Sequence, residues 1–141
     1  MGLIPGALLI TGNYLAGWWV ASNTIFSLVI LAVMEKFVPE NFSNEEEPDF
    51  FPDFILFAHV FLQCAVLIST VLTLKQHAYS FPQLALLVIS IGINTGASSI
   101  VIAHELIHRK NKFYQWAGKF LLFTATNIYF YVDHLKVHHK W

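Results

Sequence analysis

The sequence predicts an all-α fold: a polytopic helical membrane protein with about three to four transmembrane helices, plus an interfacial or re-entrant helical segment carrying histidine motifs. Three observations predict it. Of 141 residues, 56% are hydrophobic and only 12% are charged, about half the roughly 25% of a soluble domain. Three long stretches, Met1 to Met34, Phe54 to Leu74 and Gln76 to His104, contain no Asp, Glu, Lys or Arg. Each reaches the roughly 20 apolar residues that one crossing of the hydrocarbon core takes. The chain, 1–141, reads as a single membrane domain.

The first stretch is too long for one crossing. As a single helix it is about 50 Å, against a core of about 30 Å. Gly12 and Asn13 are the expected break, which makes Tyr14 to Val33 the first span and leaves Met1 to Thr11 as the stump of an earlier helix. Trp18 and Trp19 suit a membrane interface. An acidic loop follows from Glu35 to Asp53, where Pro39, Pro48 and Pro52 oppose a continuous helix, and it reads as a solvated linker. The second span is Phe54 to Leu74. A turn containing Lys75, Gln76, His77 and Pro82 leads to the third span, Phe81 to Ala103. Small and weakly polar residues from Asn94 to Ser99 allow close helix approach there. Six of the eight basic residues, Arg109, Lys110, Lys112, Lys119, Lys136 and Lys140, follow His104. The positive-inside rule places that side, and with it the acidic loop, in the cytoplasm.

Several function classes are excluded. A net charge of −1 without a broad basic patch does not read as nucleic-acid binding. The single cysteine, Cys64, makes neither an internal disulfide nor an iron–sulfur site. No glycine-rich nucleotide fingerprint occurs, and the first 34 residues lack the basic start of a cleaved signal peptide.

The histidines carry the chemistry. Five of the seven fall between positions 104 and 139. They form His104-Glu105-Leu106-Ile107-His108 and His134-Leu135-Lys136-Val137-His138-His139, each with an i, i+4 pair. Residues four apart share one helix face, so each pair can hold one metal ion. His139 lies about 100° further around and widens the arc toward a second. His59 and His77 are isolated and receive no role. Interfacial packing is the plainer reading of the five, but polar residues at membrane depth are usually functional. The first motif alone is also an H-E-x-x-H, in which a zinc protease uses two histidines as ligands and the glutamate as base. A zinc protease also needs a third protein ligand. After Glu105 the only acid is Asp133, and that reading leaves the H-x-x-x-H-H group unexplained.

Taken together, Asn94-Thr95-Gly96, His104-Glu105-Leu106-Ile107-His108-Arg109 and Asp133-His134 through His139 resemble the membrane di-iron family of fatty-acid desaturases and hydroxylases. Within it the pattern is most similar to the alkane 1-monooxygenase group, which includes xylene monooxygenase-like enzymes. The resemblance implies a non-haem centre of two irons that uses O2 to insert one oxygen atom into an unactivated C–H bond. The substrate is an apolar molecule, an alkane or acyl chain, with terminal hydroxylation of alkanes favoured over desaturation. His104, His108, His134, His138 and His139 correspond to iron ligands. Glu105 and Asp133 correspond to carboxylates that orient the imidazoles. The chain has no electron-carrying centre of its own, so the resemblance implies a separate rubredoxin or ferredoxin with its reductase, docking on the histidine-bearing side. The family's third histidine motif has no counterpart before Trp141, so the chain is expected to be truncated, a fragment of a larger oxygenase domain or a degenerate copy.

One geometric constraint is independent of the resemblance. His108 and His134 are 26 residues apart, about 39 Å along a straight helix, too far for ligands of one centre. Phe113 to Val132 must therefore lie along the interface, dip and return, or break. Gly118 and the Thr124–Asn127 stretch are the places for it.

Overall fold

The computed structural model describes residues 3–37 and 50–133, with side chains described for 3–37 and 53–133. Most of the acidic loop and all of His134 to His139 lie outside the described residues. Among the described residues every regular element is helical. Three helices are long and apolar enough to cross a membrane: Gly17–Glu35, Asp53–Gln76 and Phe81–His108. The chain is thus an all-α polytopic membrane protein. It divides into two compact units, Met1–Asn94 and Thr95–Trp141.

In the first unit, helix α1 (Ile4–Leu15) has Pro5 in its first turn, where a missing N–H costs nothing. Its 12 residues reach only about 18 Å, too short to span. The break comes at Ala16 and Gly17, with φ of 57° and 59°, and not at Gly12-Asn13 as the composition suggests. Gly12 is spent on close approach instead. After the turn the chain folds back along α1, and a Cβ on Gly12 would lie 2.4 Å from the Trp19 carbonyl oxygen. Ser22 Oγ donates to the Leu8 carbonyl across the same hairpin at 3.0 Å. Asn13 is likewise buried inside the helix, where it is used for packing.

The first crossing is composite. A 3-10 turn (Gly17–Ala21), α2 (Ser22–Ile25), a π-helical turn (Phe26–Ile30) and α3 (Leu31–Glu35) follow without interruption. The second crossing lies in α4 (Phe50–Gln76). The third begins with α5 (Phe81–Asn94), whose start is held by the side chain of Gln83 reaching back. Gln83 Oε1 accepts from both the backbone N–H and the hydroxyl of Ser80 at 2.9 Å.

The interior of this unit is sorted differently from that of a soluble protein. Lipid tails are as apolar as leucine, so burying leucine between helices gains little in a bilayer, whereas polar side chains must find partners. Accordingly Phe61, Ile68 and Val88 face outward, and Asn13, Asn23, His59, Gln63, Thr70, Thr73, Ser90 and Asn94 are buried. On α4 the inner residues His59, Gln63, Val66, Thr70 and Thr73 recur at three- and four-residue intervals, one helix face. Asn13 Nδ2 donates to Ser69 Oγ and Thr70 Oγ1 at 3.0 and 3.1 Å. Thr73 Oγ1 donates to the Asn13 carbonyl at 2.8 Å. Asn23 Nδ2 donates to the Ser90 carbonyl at 2.8 Å, and Ser90 Oγ donates to the Val20 carbonyl at 2.8 Å. Deeper along α4, Asn94 Nδ2 donates to Gln63 Oε1 at 3.1 Å. These bonds tie α1 and the first crossing to α4 and α5.

Two glycines separate packing from helix propensity. Gly12→Ala drives a methyl group into the Trp19 carbonyl and is expected to lower stability by about 1–3 kcal/mol. Gly92, in the α5 interior with nothing within 4 Å, is expected to gain about 0.5–1 kcal/mol as alanine. Equilibrium unfolding in mixed micelles, followed by helical circular dichroism, measures both.

Candidate metal centre

The second unit carries the first histidine motif. A π-helical turn (Thr95–Ile100) leads into α6 (Val101–His108). The wide turn falls on the run of small residues, immediately before the motif, and π turns are concentrated at functional sites. Ala103, Leu106 and Ile107 are the buried face of α6. His104 is half-buried and His108 is exposed. Their rings lie 4.7 Å apart between centroids at 67°, as the i, i+4 spacing anticipates. An imidazole nitrogen binds a metal at about 2 Å, so two rings this close can turn one nitrogen each toward a shared ion. Glu105 is exposed, and its carboxylate lies 3.4 Å from the Arg109 guanidinium. Pairs this accessible contribute little stability.

The helix ends where Arg109 turns extended, with ψ of 142°. A three-residue connection then reverses the chain. Asn111 caps α7 (Lys112–Thr124) by accepting from the Phe113 N–H at 2.9 Å, and Gln115 Nε2 donates to the Arg109 carbonyl at 2.9 Å. Helix α7 runs back along α6. A Cβ on Gly118 would lie 2.8 Å from Ile107 Cγ2, 2.9 Å from the Ala103 carbonyl oxygen and 3.0 Å from Leu106 Cβ. Gly118 therefore does not break the segment. Its missing side chain lets α7 rest directly on the helix that bears the histidines.

The break falls at the other expected place. Helix α7 ends in a Schellman motif, in which Thr126 N–H donates to the Phe123 carbonyl at 3.0 Å and Asn127 N–H to the Leu122 carbonyl at 2.9 Å. This puts Thr126 in the left-handed region at φ 55°, an outlier for a β-branched residue. The short helix α8 (Tyr129–Val132) then returns toward α6. The Phe130 ring meets His104 edge-on at 5.9 Å and 86°. Between His108 and His134 the chain thus doubles back and returns to His104 within four residues of the second motif.

Of the residues singled out from sequence, His104, Glu105 and His108 lie together on α6, and Asp133 is exposed just after α8. His134, His138 and His139 lie outside the described residues. Among the described residues no group of three or more His, Cys, Asp or Glu gathers to hold a metal, and the pair His104 and His108 is the described part of the candidate site. Phe130 was not legible in the sequence, whereas the turn at Thr126 falls within the expected Thr124–Asn127 stretch. A glycine inside an amphipathic helix was the available signal for Gly118.

The alkane 1-monooxygenase of Pseudomonas putida is 28% identical over 88% of this chain and 35% of its own length. That of Ectopseudomonas oleovorans is 26% identical over the same shares. Alkane 1-monooxygenase 1 of Pseudomonas aeruginosa is 42% identical over 37% of this chain and 14% of its own length. The chain is similar to alkane 1-monooxygenases. The chain spans about a third of the length of the relatives it matches most extensively, 35% in both cases. No protein-family model matches the chain, and neither does a solved structure.

Two substitutions test the local architecture. Gly118→Leu is expected to cost about 1–3 kcal/mol by forcing α7 from α6, with hydrogen exchange accelerating in both helices. Thr126→Gly relieves the left-handed residue and is expected to gain about 1 kcal/mol, read from the unfolding midpoint.

Proposed function

We propose that this chain contributes the first two histidine motifs of a membrane-bound, non-haem di-iron monooxygenase that hydroxylates an unactivated C–H bond of an apolar substrate, a terminal alkane carbon above all. One observation carries the reading. Two imidazoles stand 4.7 Å apart on α6, and the chain turns back so that Phe130, four residues before His134, packs on His104. The similarity to alkane 1-monooxygenases supports it.

In this reading His104, His108, His134, His138 and His139 hold the irons, and imidazole suits iron as a ligand. When bound, the irons supply O2 activation and the insertion of one oxygen atom. Glu105 and Asp133 fix imidazole orientation as outer carboxylates. Phe130 packs perpendicular to the His104 ring and restricts it. The substrate dissolves in the bilayer around the apolar helices and reaches the histidine-bearing end from there. The two electrons come from a separate rubredoxin or ferredoxin with its reductase. Arg109, Lys110 and Lys112, with Lys136 and Lys140, attract an acidic carrier to that face, which the positive-inside rule assigns to the cytoplasm.

The test is the metal content of the detergent-purified chain after expression with iron and zinc both present. Iron near two per chain, falling by at least half in His104→Ala and in His138→Ala, is the expected result. One zinc without iron, accompanied by chelator-sensitive proteolysis, overturns the oxygenase reading in favour of a hydrolase. No metal at all overturns the proposal that these five histidines hold the irons in this chain.

A further inference from the structure

Helix α7 presents a second surface away from α6. Phe113, Trp116, Phe120 and Phe123 recur at three- and four-residue spacing, and all four are exposed. An apolar groove of about 280 Å³ runs between Trp116, Lys119, Phe120, Phe123 and Ile128. Whole-ligand pockets occupy roughly 300–1,000 Å³, so this groove accommodates part of a chain, not an entire amphiphile.

Among the described residues Lys119 is the one charged side chain lining it. Its ammonium lies 4.1 Å from the centroid of the Tyr131 ring and 5.5 Å from that of Trp116. Two aromatic faces hold the cation in place at the groove. Its depth follows from its neighbour Gly118, which packs against Ala103, Leu106 and Ile107, where the third apolar stretch gives way to charged residues. That is headgroup level, where Trp and Tyr collect and lysine reaches toward water. Phe120 and Phe123 lie further along α7, which runs back from this level beside α6.

We propose that this groove is a binding site for an anionic phospholipid, with an acyl chain along Phe120, Phe123 and Ile128 and the phosphate at Lys119. Charge complementarity selects the occupant, because a single fixed cation above an apolar slot matches an anionic headgroup above its chain. The inference does not depend on the oxygenase reading. Because α7 rests on α6 through Gly118, an occupied groove braces the helix that carries His104 and His108.

The experiment uses the full chain with Trp18→Phe, Trp19→Phe and Trp141→Phe, which leaves Trp116 as the only indole. It is reconstituted into phosphatidylcholine vesicles containing a minor fraction of brominated phosphatidylglycerol or, in parallel, brominated phosphatidylcholine. Bromine quenches a nearby indole. The anionic lipid is expected to compete for the site about fivefold better, the factor corresponding to about 1 kcal/mol per basic residue. Lys119→Gln is expected to abolish the preference, and Lys119→Arg to keep it with unchanged helical circular dichroism. Equal quenching by the two lipids overturns the proposal, as does a preference that survives Lys119→Gln or is lost in Lys119→Arg. A preference abolished by Lys110→Gln/Lys112→Gln also overturns it, since attraction would then come from the basic connection and not from the groove.

Discussion

The packing of the first unit follows from having lipid as the solvent around its apolar helices. In water, burial of large apolar side chains selects the packing of helices. Within a bilayer that preference almost vanishes, and the cost of an unpaired polar group takes over. The first unit answers with asparagine, serine, threonine and glutamine between its helices, each placed against a backbone carbonyl or another side chain. Its glycines serve the same end, since removing a side chain is the other way to bring two backbones together. The short α1 has too little length to span and is held by these polar contacts and by Gly12.

The second unit solves a separate problem. Two histidine groups separated by 26 residues can share a centre only if the intervening chain doubles back. Three local devices achieve it: Asn111 starts a new helix immediately after the first motif, Gly118 lets that helix lie close, and the left-handed Thr126 ends it. Strain in a sparsely populated backbone region persists where the surroundings over-determine it, and the Thr126 turn sits between the two motifs. The return is sealed by an aromatic ring against His104. A rigid ring on one side limits an imidazole to few orientations, the kind of preorganisation that ligand residues require.

How much of this was legible in the sequence depends on the length scale. The three crossings could be read because absence of charge over some twenty residues has one physical meaning. The break in the first stretch was placed at Gly12-Asn13, because glycine and asparagine punctuate soluble chains. In the structure that glycine admits a neighbouring backbone and that asparagine pairs with α4, while the reversal falls to Ala16 and Gly17. The pairing of His104 with His108 was visible in their spacing. The partner that reaches His104 from downstream was not, because no local pattern announces which of many aromatics a returning chain will deliver. Gly118 was noticed for the wrong reason, as a hinge. Local sequence does not tell a glycine that bends from a glycine that admits.

The wide turn at Thr95–Ile100 has a consequence for how such chains change in length. A π turn holds one more residue than an α turn while the helices on either side keep their angular phase. Asn94, which pairs inward with Gln63, and His104 therefore stand on opposite sides of an absorbed insertion. Loss of one residue from this stretch would return it to ordinary α geometry. Loss of one residue between His104 and His108 would leave them three apart, still on one helix face but offset by about 60° in the opposite sense. A one-residue gap at the serine-rich turn thus leaves the spacing of the histidine pair untouched, whereas a gap inside the motif changes it.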